Sequence, residues 1–273
     1  MGELKKYTLG SGHLHIAIYE NGQLPTDWNA FFGSTDNILG RIKGGARFEY
    51  TTDKYEDEDD LGYIKIEEVT KEKVVLKSGV MTWDGGTLTK ICTTARTSVA
   101  ADGTVTTKIG GLANQNTDRW VLGFEHKDKN LRVIIVGKNN EGFTFDFKQD
   151  SATVIDCQFA AEANDDEGTL IIIQDLRNCP VLSSLDIGGL ALTPAFSPFV
   201  KSYAAATGNA KDKITASAKT STDTVTIKNK ETAVNNGEEA TWTSGKNNVT
   251  VEVARNETKF TYSIEVTKSQ GDK

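Results

Sequence analysis

Residues 182–207 read LSSLDIGGLALTPAFSPFVKSYAAAT. A short apolar run, a Gly-Gly pair, two prolines four residues apart and a tyrosine opening a new run mark a fresh start. Proline fixes φ and lacks a backbone donor, so Pro194 and Pro198 exclude a helix or central strand here. Just upstream, RNCPVLSS carries Pro180, which disfavours helix before it. One domain therefore closes near residue 177 and another begins near residue 183, with 178–182 as linker and 269–273 as a tail.

Downstream of this entry the pattern is all strand. KITASAK, DTVTIKN, EATWTS, NNVTVEVA and KFTYSIEVT follow at short spacing. Val249, Val251 and Val253 alternate with polar residues, as do Phe260, Tyr262, Ile264 and Val266. Period two with one apolar face predicts a small immunoglobulin-like β-sandwich over residues 183–268.

Residues 1–177 also read mainly as strands. GHLHIAIYE sets His13 and His15 on one face against Leu14, Ile16 and Ile18, and the bland reading of the histidines is half-exposed strand positions. DWNAFFGSTDNILGRIKGG is apolar but irregular. ARFEYTT resumes strand character, and DKYEDEDDLG reads as an acidic, turn-like loop before YIKIEEV and EKVVLKSGVMTW. In GGTLTKICTTA, Leu88, Ile91, Cys92 and Ala95 recur at i, i+3, i+4 and i+7, which predicts one short helix with Thr87 as its N-cap. Asp102-Gly103 marks a hairpin, Asp128–Asn130 another, and Asp165–Gly168 a third.

The chain has 273 residues and a net charge of −7. Residues 1–180 hold 20 Lys+Arg and 28 Asp+Glu, and residues 181–273 hold 11 and 10. The acidity belongs to the first domain and argues against binding to a nucleic-acid backbone. No stretch approaches the roughly 20 apolar residues of a membrane span, and the first 20 residues show no signal-peptide core. Cys92, Cys157 and Cys179 form no C-x-x-C and read as reduced, mostly buried thiols.

Motifs for chemistry are absent. His13 and His15 lack a third metal ligand. EDEDD (Glu56–Asp60) lacks the ligand alternation and glycine of a calcium loop and reads as a solvated run. NDDEG reads as a hairpin turn. No phosphate loop, nucleophile elbow or paired catalytic carboxylates is discernible, so neither enzyme activity nor a cofactor is expected.

The arrangement itself carries a resemblance. YTLGSGHLHIAIYE, the segment from Leu39 to Ile91 (strand, long polar loop, strand, Thr-Leu helix) and the segment from Arg132 to Asp175 resemble the major tail tube proteins of long-tailed bacteriophages. The likeness spans nearly all of residues 1–177. LSSLDIGGLALTPAFSPFVKSY, with its L-x-x-L, Gly and L-x-P-x-F-x-P run, and NNVTVEVARNETKFTYSIEVTK resemble the entry and last strands of cadherin-like β-sandwich modules; the tyrosine stands further from the prolines than is usual.

The resemblance implies a mainly β fold: a tail-tube β-sandwich or barrel with one short α-helix, then a small immunoglobulin-like β-sandwich. It further implies a structural virion protein whose hexameric rings stack into a hollow tail tube, assembled in the bacterial cytoplasm, through which DNA is ejected without specific binding. Implied partners are further copies of the chain and the tape-measure and tail-completion proteins. An outward module favours a non-contractile tail and allows weak cell-surface glycan contact.

Within that reading, the segment Tyr50–Tyr63 is the expected inter-ring contact: disordered while free, docking through Tyr55 and Tyr63, with Glu56, Asp57, Glu58, Asp59 and Asp60 keeping the subunit soluble. Strand alternation nominates Glu67, Asp146, Asp156 and Glu162 as lumen-facing acids that keep DNA from sticking. The rival readings are a two-domain bacterial surface or adhesion protein and a tube subunit of a contractile tail or phage-derived bacteriocin.

Overall fold

The computed structural model describes residues 11–269 except 21, 140, 146, 148 and 151. Asp146 and residues 270–273 of the expected tail lie outside the described residues. The chain divides into two compact units, residues 1–175 and 176–273. Both are mainly β.

The first unit contains strands β1 (Gly12–Ile18), β2 (Ile38–Gly40), β3 (Ile42–Glu58), β4 (Lys65–Val80), β5 (Arg96–Val99), β6 (Val105–Lys108), β7 (Trp120–His126), β8 (Leu131–Lys138), β9 (Phe143–Phe145), β10 (Ile155–Glu162) and β11 (Ile172–Asp175). Nine of them form one sheet in the order β2-β1-β7-β8-β10-β4-β3, with β11 added to β8 and β9 to β10. Strands β5 and β6 pair only with each other. The two ends of the main sheet, β2 and β3, are separated in sequence by Arg41 alone. The sheet therefore rolls back on itself at Arg41, whose N–H donates to Thr82 Oγ1 at 2.7 Å. The strand ladder does not close into a barrel.

The inner face of the roll packs Leu14, Ile16, Leu76, Leu122, Ile135, Ile155 and Phe159 into one core. Among the described residues two α-helices are present rather than one. Helix α1 (Trp28–Gly33) lies in the segment whose pattern looked irregular, capped by Asp27 Oδ1, which accepts from the N–H groups of Asn29 and Ala30. Its Phe31 and Phe32 pack with Val121, Ile134 and Val136 on the outer face of β7 and β8. Strand β8 is thus covered on both faces, which is why Val133–Val136 read as an unbroken apolar run. Gly123 makes this packing possible: a Cβ there would stand 2.7 Å from both Phe31 Cε1 and Phe32 Cε1.

Helix α2 (Gly85–Ile91) is the expected helix, with a corrected start. Its N-cap is Asp84, not Thr87. Thr87 sits at the third helical position and completes a capping box: its N–H donates to Asp84 Oδ1 at 2.7 Å, and Asp84 N–H donates to Thr87 Oγ1 at 3.3 Å. Leu88 and Ile91 are buried in the core, whereas Cys92 caps the C-terminus and Ala95, also buried, lies beyond it. The helix ends one turn earlier than the spacing predicts.

The second unit pairs β12 (Leu182–Ile187), β14 (Lys211–Ala218) and β17 (Glu239–Thr241) in one sheet. The other holds β13 (Ser202–Thr207), β15 (Thr224–Asn229), β16 (Thr232–Val234), β18 (Gly245–Arg255) and β19 (Thr258–Lys268) in the order β13-β19-β18-β15-β16. Val249, Val251, Val253, Tyr262, Ile264 and Val266 fill the space between. Residues 178–182, read as a linker, are part of this unit: Val181 and Leu182 are in its core and Cys179 packs against it. The Tyr262 hydroxyl accepts from Leu182 N–H at 2.9 Å and donates to Pro198 O at 2.7 Å, pinning both ends of the entry segment. Tyr203 donates to Ser197 O at 2.6 Å, closing the turn across the prolines.

Candidate assembly surface

The segment from Tyr50 to Tyr63 is not a loop. Strands β3 and β4 stay paired as far as Glu58↔Lys65, with one extra residue, Thr70, bulged between Asp53↔Lys71 and Lys54↔Val69, and only Asp59–Ile64 form the turn. Asp59 Oδ1 accepts from Ile64 N–H at 2.6 Å, and Gly62, at φ +70°, supplies the left-handed residue. Part of the arm's charge is matched across the ladder. Lys54 pairs with Glu67, Tyr50 donates to Glu72, and Lys65 Nζ lies 3.7 Å from Glu56 Oε2. Opposite charges on facing strands favour pairing.

Burial on β4 stops at Val74, and residues 65–73 are all exposed. Residues 51–72 therefore project from the body as a two-stranded arm with both faces in solvent. The arm holds nine carboxylates and three lysines, a net charge of −6. Most of the acidity of the first unit is concentrated here.

The arm is also apolar. Among the described residues, fifteen large apolar side chains are exposed, all in the first unit, and seven belong to this hairpin: Tyr50, Tyr55, Leu61, Tyr63, Ile64, Ile66 and Val69. Tyr63 is 82% and Leu61 74% exposed. An isolated two-stranded ribbon is marginal in water, and its exposed apolar side chains make it the candidate interaction surface of this unit. The second unit exposes none among its described residues.

The expected lumen acids are not brought together. Glu67 lies on the arm and is paired with Lys54. Glu162 lies between Arg119, at 2.6 Å, and Lys138, at 3.4 Å. Asp156 is exposed on β10. Glu67 and Glu162 are neutralised by cross-strand pairing, which one strand's alternation does not reveal.

His15 is buried at 2% exposure, not half-exposed, and its ring stands edge-on to Phe32 at 5.1 Å. Burial, with smaller contributions from His13, Arg132 and Lys129, lowers its pKa to about 4. Nearby, Arg132 and Glu125 form a buried pair at 2.9 Å, and Arg132 Nη1 donates to Asn29 Oδ1. Sequence reading missed this cluster, because β7 and β8 each place a charge in an otherwise apolar run. Among the described residues no group of three His, Cys, Asp or Glu is placed to hold a metal. Cys157 is buried, Cys92 and Cys179 are half-buried, and burial pushes the Cys157 thiol up to about 12. Among the described residues no helix is long and apolar enough to cross a membrane.

The fold and surface define a two-unit β protein: a body with a projecting acidic arm, followed by a cadherin-like sandwich. Residues 182–269 match the family model described as a cadherin-like beta sandwich domain. No curated protein matches the chain.

Proposed function

We propose that the chain is a structural subunit of a bacteriophage tail tube: rings of copies stack into a hollow tube, the arm makes contacts between copies, and the cadherin-like module is displayed on the outside. The resemblance of residues 1–177 to tail tube proteins supports this reading. The observation that carries it is the arm, a preformed acidic ribbon whose six exposed apolar side chains, with Tyr50 at its base, are left for another chain to cover. Its charge keeps free subunits apart until a complementary surface is offered. The arm is built before docking, so assembly pays less ordering entropy than a disordered loop would. DNA would pass through the tube without specific contacts, and tape-measure and tail-completion proteins would set length and ends.

The cadherin-like match over residues 182–269 favours a second reading, a surface or adhesion protein. Negative-stain electron microscopy of the concentrated full chain separates the two. Hollow tubes studded on the outside are expected. Isolated two-lobed particles at every concentration would overturn the tube reading and favour adhesion.

A further inference from the structure

We propose that the tip of the arm docks into the open seam of the rolled sheet of a second copy. The proposal rests on the reading of the arm as an assembly element and adds the surface that receives it. The seam is a hollow of about 670 Å³, within the size range of binding cavities, roughly 300–1,000 Å³. Ile42, Ala46, Phe124 and Leu131, all partly buried, give it apolar walls.

Gly44 and Gly45 form its edge. They are two residues inserted into β3 between the pairs Lys43↔Gly79 and Ala46↔Ser78. Both have left-handed φ, +84° and +82°, and nothing lies within 4 Å of where their Cβ atoms would stand. This stretch of edge is bare backbone facing open space, suited to close approach by another chain. Among the described residues no carboxylate lines the hollow, and Lys43, which does, forms no ion pair.

The tip matches it in both respects. Leu61, Tyr63 and Ile64 are the apolar content, and Asp59 and Asp60 bring negative charge to Lys43. Arm-to-arm pairing is disfavoured, since each arm carries a net −6.

Tip and hollow are different surfaces of one chain, so the contact is heterologous and propagates: it closes into rings or extends into a filament. Asp59 stands fourteen positions beyond Gly45, a span of about 46 Å at strand rise. Because the tip of one copy coincides with the hollow of the next, the hollows of successive copies lie no further apart than this. The axial step of any assembly is bounded by the same length.

The test uses the full chain with p-benzoyl-phenylalanine at position 63. Cross-links between copies should map to peptides containing residues 42–46 or 124–131. Lys43→Glu should raise the concentration needed for assembly about tenfold, with Asp60→Lys in the same chain restoring it. Cross-links that map elsewhere, or an unchanged threshold in a folded Lys43→Glu variant, would overturn the docking assignment alone. If Lys43→Glu misfolds, the cross-link map decides. A wild-type chain that never assembles would overturn both this inference and the tube reading.

Discussion

Glu56 and Glu67 lie directly opposite each other in the β3–β4 ladder, and each is met by a lysine of the facing strand: Lys65 on Glu56 and Lys54 on Glu67. Two like charges that would push the strands apart are thus held within an alternating network. Each exposed pair contributes little, but the arm has no core, so small terms decide its order.

Lys54→Met with Lys65→Met should therefore open the arm without touching the body. Amide hydrogen exchange would show faster exchange over residues 51–72 and unchanged protection in β7 and β8.

The second unit depends on a buried carboxylate. Asp212 accepts hydrogen bonds from Trp242 Nε1 at 2.8 Å, Thr207 Oγ1 at 2.8 Å and Asn209 Nδ2 at 2.7 Å. Burial acts to raise its pKa, but the three donors outweigh it and hold the carboxyl below its ordinary value. Asp212→Ala leaves the indole N–H unpaired and should cost about 2–4 kcal/mol in the melting of this unit. A depressed carboxylate pKa contributes stability above its unfolded value and loses it as pH falls through the folded one. The wild-type unit should therefore weaken in acid below the ordinary aspartate range, and the variant should show less of this loss.

His15 gives the first unit a different acid profile. Its folded pKa of about 4 lies below the unfolded 6.5, so the unfolded chain binds the extra proton between them. Stability should fall as pH drops from 6.5 toward 4, by up to about 3 kcal/mol. His15→Phe should flatten that part of the profile. A wild-type melting temperature that stays level from pH 7 to pH 4 would contradict this.

Gly123 tests the packing of α1. Adding one methyl group forces Phe31 and Phe32 away from the sheet, and Gly123→Ala should cost about 1–3 kcal/mol. Near-ultraviolet circular dichroism should lose aromatic signal while the β signal persists.

The sandwich was legible because each strand has one wet face, so Val249–Val253 and Phe260–Val266 announce themselves by alternation. The helix at residues 85–91 was legible from Leu88 and Ile91, but its cap was misplaced because Thr87 is also a good capping residue. Helix α1 was hidden by its length: six residues hold less than two turns, too few for a period to show. The arm was misread for a physical reason. Charge density reports solvation, and a ribbon wet on both faces is as solvated as a loop. Its order comes from partners on the facing strand, such as Lys54 and Glu67, thirteen residues apart in sequence. The seam at Gly44-Gly45 had a local signal, the adjacent glycines, but its apolar walls come from Phe124 and Leu131 far along the chain.

The most direct measurement is sedimentation velocity across a concentration series, comparing the full chain with a variant in which residues 53–71 are replaced by a two-residue Asn-Gly turn. The account predicts that the wild type shifts to large species as concentration rises, while the shortened variant stays a folded monomer. A shortened variant that assembles as readily as the wild type would contradict the role assigned to the arm.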